Sequence, residues 1–152
     1  MYQIIKKFWA LFLAIMLLSI AQPLSINAAP HTTIEYLSDD SYFETTISII
    51  PTRGTVTNTN ITVTYRNASG EAMWDLTVTA NFTFNGKTAS CTSSKATANS
   101  YNRNWKIIEK SSSRSSNHGT ATAKAGQYLN GVYVNSLTKS VTIYCNGNGQ
   151  VS

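Results

Sequence analysis

The residues best suited to bond-making chemistry in this 152-residue chain are two cysteines, Cys91 and Cys145, and two histidines, His31 and His118. Hydrolysis calls for a nucleophile with its base, a pair of carboxylates, or a metal. His118 lies in Ser115-Ser116-Asn117-His118-Gly119. Neighbours in one polar loop do not make a triad, and the nucleophile-elbow pattern is missing. His31 stands beside an expected processing point. Asp39 and Asp40, with Glu35 or Glu44, have the oxygens for a calcium corner, yet two adjacent acids lack the spaced ligands of an EF-hand loop. Asp and Ser in Leu37-Ser38-Asp39-Asp40-Ser41 read better as a solvated turn. Glu71, Asp75 and Glu109 read as isolated surface charges. Two thiols with two distant histidines do not supply a zinc site. The sequence therefore implies no enzyme, no metal and no cofactor, the alternative being a secreted toxin or small enzyme with a site assembled from His118 and distant residues.

Binding is better supplied. Lys110-Ser111-Ser112-Ser113-Arg114-Ser115-Ser116, with Arg103, Lys106 and Lys95 nearby in sequence, is a basic, serine-rich stretch. It reads as a solvated loop whose Lys110, Arg114, Arg103 and Lys106 suit an anionic surface such as a wall polymer or lipid headgroups. Among the aromatic residues, Tyr128, Tyr133 and Tyr144 are the candidates for stacking on sugar rings, whereas Trp74 and Trp105 sit in alternating segments that suit a core. Asn60-Ile61-Thr62, Asn67-Ala68-Ser69 and Asn81-Phe82-Thr83 match the glycosylation acceptor pattern, which a chain rich in Asn and Thr generates by chance.

Composition frames these candidates. The chain carries 12 Lys plus Arg against 7 Asp plus Glu, and only 12% of its residues are charged. From Pro30 onward there are 20 Thr, 16 Ser and 13 Asn, so 49 of 123 residues replace charge with hydroxyl or amide. That mixture solvates a β surface without many ions. The same segment has ten basic and seven acidic residues, a net of +3, which is too modest for a nucleic-acid partner without a binding motif. At the front, Lys6 and Lys7 precede the apolar run Phe8 to Ala21, too short for a comfortable membrane span. Pro23 and the small residues Ser25 to Pro30 follow. This predicts a signal-peptide helix within residues 1–29, cleaved near Ala28 or Ala29, and one secreted domain over 30–152 with no stable membrane anchor after processing.

The elements that position these residues are extended. From Trp74 to Phe84 every even position is apolar and every odd one polar, the period of a strand with one buried face. Asn85-Gly86 suits a two-residue type I′ turn, pairing Phe84 with Lys87, Phe82 with Ala89 and Ala80 with Cys91. Further strands are expected at Tyr42 to Ile50, Thr59 to Tyr65, Tyr101 to Glu109, Gly119 to Leu129 and Leu137 to Cys145, with a short edge at Thr33 to Leu37. Asn130-Gly131 makes a second two-residue turn, and a parity change calls for a bulge near Asn135-Ser136. Polar loops are expected at Thr92 to Ser100 and Lys110 to His118. Seven or eight strands and no amphipathic helix give an all-β antiparallel sandwich. Cys91 and Cys145 both point inward, and in an oxidising compartment such a pair forms a disulfide worth about 4 kcal/mol.

The spacing Cys91, Trp105, Cys145 resembles that of immunoglobulin domains. Ile143 stands where the tyrosine corner belongs and no strand follows Cys145, so the sandwich is immunoglobulin-like without being a true immunoglobulin domain. In its leader, its Thr/Asn-rich strands, and its ending Thr120-Ala121-Thr122-Ala123 to Thr138-Lys139-Ser140-Val141-Thr142-Ile143-Tyr144-Cys145, the chain resembles small exported proteins of Gram-positive bacteria. That resemblance carries no active site. What it and the composition imply together is a non-enzymatic exported protein with a cell-wall polymer or glycan as partner.

Overall fold

The computed structural model describes residues 31–49, 51–52 and 55–152. The expected signal-peptide helix and cleavage point fall outside the described residues. The described chain is all β: two antiparallel sheets packed face to face. The larger sheet runs β1 (His31–Tyr36), β2 (Tyr42–Ser48), β4 (Thr55–Arg66), β5 (Ala72–Phe84), β6 (Ala89–Ser100), with the two-residue β3 (Pro51–Thr52) alongside β4. The smaller runs β7 (Trp105–Ser115), β8 (His118–Leu129), β9 (Val132–Tyr144). Among these elements both sheets are meanders, each strand pairing with its sequence neighbour apart from the β3 excursion. Immunoglobulin domains use Greek-key connections instead.

The core follows from parity. On β5 the even positions Trp74, Leu76, Val78, Ala80 and Phe82 are all 1% exposed or less, and Ile61, Val63 and Tyr65 of β4 join them from the same face. The opposing strand β8 contributes only Ala121, Ala123, Ala125 and Gly119 from its inner face. Small side chains there let the sheets approach closely: a Cβ on Gly119 would sit 2.9 Å from Ser94 Oγ and 3.2 Å from Ala80 Cβ. Large residues on one layer thus fill the space that small ones leave on the other.

Several local expectations are corrected. The two presumed loops are strands. Thr92 to Ser100 belongs to β6 and Lys110 to Ser115 to β7, both at sheet edges. Edge strands with little buried surface need no apolar alternation, so their sequences read as polar connections. Tyr101, expected to open a strand, is 59% exposed in the turn before β7, which begins at Trp105. The β5–β6 hairpin is two residues longer than a type I′ turn: Phe84 pairs with Ala89, because Asn85 Oδ1 accepts from the backbone N–H groups of Lys87 and Thr88 and widens the loop. The two-residue shift keeps parity, so Cys91, now opposite Phe82, still faces inward, and a bulge between Phe82–Cys91 and Asn81–Ser93 moves the register by one further residue. At the β8–β9 hairpin Asn130 and Gly131 both take positive φ, 50° and 81°, as a type I′ turn requires. The parity-correcting bulge falls at Val134, just before the position expected.

The disulfide is the largest correction. Cys91 and Cys145 are both free thiols, buried at 4% and 1% exposure. Each sulfur turns to a nearby carbonyl, Cys91 Sγ donating to Ser93 O at 3.3 Å and Cys145 Sγ to Asn146 O at 3.5 Å. Their backbones still meet at one place, the β7–β8 turn, where Cys91 N–H bonds Ser116 O and Cys145 N–H bonds Asn117 O.

Candidate functional site

Cross-strand register turns scattered hydroxyls into rows. On the outer face of the larger sheet Thr32 pairs with Thr46, Thr46 with Thr62, Thr62 with Thr77, and Thr77 with Thr97. This is one threonine on each of five adjacent strands, spaced about 4.8 Å apart. Thr62 and Thr77 share a hydrogen bond of 2.8 Å. The smaller sheet repeats the device with Ser113–Thr120–Thr142 and Ser111–Thr122–Ser140. There Thr120 bonds Thr142 at 2.9 Å and Thr122 bonds Ser140 at 2.7 Å. A hydroxyl has one donor and two acceptor sites, so each paired hydroxyl keeps capacity for a further partner. Reading along the sequence misses these rows because neighbours in a row lie 7 to 22 residues apart.

The four basic candidates do not form one loop patch. Arg103 is exposed in the β6–β7 turn, and Lys106, Lys110 and Arg114 are strung along β7. Lys106 lies on the outer face with its ammonium 4.8 Å from the centre of the Tyr128 ring. A bulge after Ile107 places Lys110 and Arg114 on the opposite parity, opposite Ala123 and Gly119. Arg114 donates to Cys91 O at 3.2 Å. Charged side chains along an exposed edge discourage unwanted strand pairing as well as offering charge to a ligand.

The three tyrosines share the outer face of the smaller sheet at its two ends. Tyr128 and Tyr133 stand edge to face at 71°, so this pair is not a coplanar platform. Tyr144 is half exposed and packs on His118 with ring centres 5.1 Å apart. Ten residues of β8 separate its row from that of Tyr128, roughly 33 Å at strand rise.

The acids near the first turn go to separate tasks. Asp39 accepts from the hydroxyl and backbone N–H of Ser41, and these bonds, led by the hydroxyl, hold its carboxyl below the usual range. Glu44 pairs with Arg66 at 2.6 Å and Glu35 with Lys139 at 2.6 Å. Lys139 also covers the Phe43 ring at 4.4 Å, bridging the open side of the sandwich. Asp75, only 7% exposed, accepts from Asn99 and from the Tyr101 hydroxyl. That bond raises the Tyr101 phenol, and burial adds to it. Burial likewise raises both thiols, with Cys91 adding to the effect at Cys145.

A cleft of about 320 Å³ opens at one end of the sandwich. The β1–β2, β4–β5 and β6–β7 turns converge there over Gln127 of β8. Its floor is Tyr65, Met73 and Trp105, and its walls carry Asp39, Ser41 and the carboxamides of Asn67, Asn102, Asn104 and Gln127. No family model, no curated protein and no solved structure matches the chain. The cleft was not visible in the sequence, where its asparagines read as ordinary turn residues.

Proposed function

We propose that the protein is a non-enzymatic, exported β-sandwich that binds at or outside the cell envelope through its hydroxyl-bearing sheet faces, with basic side chains along the β7 edge. The observation that carries this reading is the uninterrupted row Thr32, Thr46, Thr62, Thr77, Thr97 on the open side of the larger sheet. Such a face offers many donors and acceptors at regular spacing while presenting little charge, which suits a repeating, polyhydroxylated wall polymer. Lys106, Lys110, Arg103 and Arg114 add a long-range attraction to anionic polymer that salt screens. Wall polymer or glycan, rather than nucleic acid, is the partner class.

Cosedimentation of the processed protein with purified cell walls across a salt series tests this. Retention at low ionic strength, falling by a half or more as salt passes roughly 0.15 M, is expected, since the Debye length there is about 8 Å. Absence of retention at low salt overturns the proposal. Replacing Thr62 and Thr77 by Val should weaken retention without loss of folded signal; unchanged retention removes the threonine row from the binding face.

A further inference from the structure

The outer faces leave the cleft at the turn end unexplained, and its construction points to a ligand of its own. Its backbone is pinned from several directions. Tyr101 N–H and Asn102 N–H both donate to Met73 O, Trp105 N–H donates to Asn102 O at 2.9 Å, and Tyr128 N–H donates to Asn104 O at 2.7 Å. Opposite, Leu37 N–H bonds Ser41 O at 2.8 Å and Asp40 holds a positive φ of 61°, so the β1–β2 turn presents Asp39 in a fixed pose. The backbone that carries the polar groups is thus fixed before any ligand arrives, which lowers the entropic cost of binding.

Some of these polar groups are already engaged and others are not. Asp39 Oδ1 is taken by Ser41, and Asn102 Oδ1 accepts from Asn104 N–H at 2.8 Å. Asp39 Oδ2, Asn102 Nδ2 and the side-chain amides of Asn104 and Gln127 make no hydrogen bond to any described residue. All four side chains line the cleft. The open valences are therefore one ionised acceptor, three NH₂ donors and two amide acceptors, above a floor that includes Tyr65 and Trp105 with ring centres 5.3 Å apart. No Lys or Arg lines it. An anionic ligand would meet Asp39 with nothing to neutralise it.

From this we infer that the cleft binds one neutral sugar ring. Sugar hydroxyls donate and accept at once, so a neighbouring pair of them fits a carboxylate beside a carboxamide. Tyr65 and Trp105 stand edge to face at 65° and form no coplanar platform, but with Met73 they give an apolar floor that suits the ring's C–H face. The volume lies at the bottom of the roughly 300–1,000 Å³ range of small-molecule sites, which fits a single ring and excludes a buried chain of them. The site is separate from the threonine row, so either can fail alone.

The test is a titration of the ¹⁵N-labelled protein with glucose, galactose and N-acetylglucosamine, with inorganic phosphate and tetramethylammonium as charged controls. At least one sugar should move the Asn102, Asn104 and Gln127 side-chain NH₂ signals and the Trp105 indole N–H, saturably, with a dissociation constant of order 1 mM. Asp39→Asn and Gln127→Leu should each weaken that sugar about tenfold, as expected for losing one strong hydrogen bond, while the backbone spectrum stays folded. The inference is overturned if no sugar moves these signals up to about 100 mM. It is equally overturned if phosphate or tetramethylammonium moves them as strongly, or if both variants bind the sugar as the parent does.

Discussion

Strands β5 and β8 face one another across the core and solve opposite problems. The inner face of β5 carries Trp74, Leu76, Val78 and Phe82, whereas that of β8 carries Gly119 and three alanines. Burial is equally complete on both, so burial alone does not say what each contributes. Apolar transfer energy scales with the area removed from water, which concentrates it on β5. The role of β8 is geometric, letting the second sheet approach until the large side chains have no empty space around them. The two strands should respond oppositely to a change in side-chain volume.

The largest effect is expected from shortening β5. Trp74→Ala should cost about 3–5 kcal/mol, read as a lowered denaturation midpoint with an unchanged slope, because it leaves a cavity beside the rings of Phe43 and Tyr65 at a fully buried site. A loss under about 1 kcal/mol would show that β5 does not anchor the core. Next comes enlargement on β8. Gly119→Ala adds a methyl 2.9 Å from Ser94 Oγ and 3.2 Å from Ala80 Cβ. Gly119 has no positive φ to protect, so on backbone grounds alone alanine should stabilise. Contact with two other strands should reverse that sign and cost about 1–3 kcal/mol. A gain in stability would mean that the sheets have slack between them, and the contrast with β5 would disappear.

The same comparison explains what could be read in advance. β5 was legible because every second residue is large and apolar, a pattern with one structural solution. β8 was recognised through its parity and its Asn130-Gly131 turn, although alanine and glycine carry little signal. β6 and β7 were legible only in their first parts, up to Cys91 and Glu109: beyond these, Thr92 to Ser100 and Lys110 to Ser115 lie on edge strands and are mostly exposed, so their polar sequences match those of loops. The cleft failed to register for a different reason. Asp39, Asn102, Asn104 and Gln127 come from three separate segments, and nothing local distinguishes an asparagine that closes a turn from one that also faces a cavity. The thiols were placed on the correct faces by parity, but parity does not direct the sulfurs toward each other.

Those thiols sharpen the comparison at one end of the molecule. Burial raises both above their ordinary value of 9.0, and Tyr101 is raised above 10.0. A group whose folded pKa is raised contributes stability that is fully present below its unfolded pKa and is lost as pH climbs through the folded value. Melting temperature should therefore hold steady with respect to these groups up to about pH 9 and decline above it. Replacing both cysteines by alanine should flatten the first part of that decline, leaving the part due to Tyr101. An unchanged alkaline profile in the double variant would show that the thiols ionise as freely folded as unfolded. In the parent, both should also resist alkylation at neutral pH until denaturant is added.

The smallest effect belongs to the surface, and it bears most directly on function. Thr62 and Thr77 in the larger sheet and Thr122 and Ser140 in the smaller are cross-strand hydroxyl pairs at 2.8 Å and 2.7 Å. A double-mutant cycle on each, Thr to Val and Ser to Ala, should return a coupling of about 0.2–1 kcal/mol, the usual range for cross-strand pairs. Valine keeps the β-branched shape and the strand preference, so little else changes. A low value means that the fold does not require the hydroxyls, although they occupy the same row on five successive strands. The face they form is then better explained by what it meets outside the molecule than by what it holds inside. A coupling well above 1 kcal/mol in both sheets would reverse this: the rows would be ties between strands, and the binding face would lose the observation on which it rests.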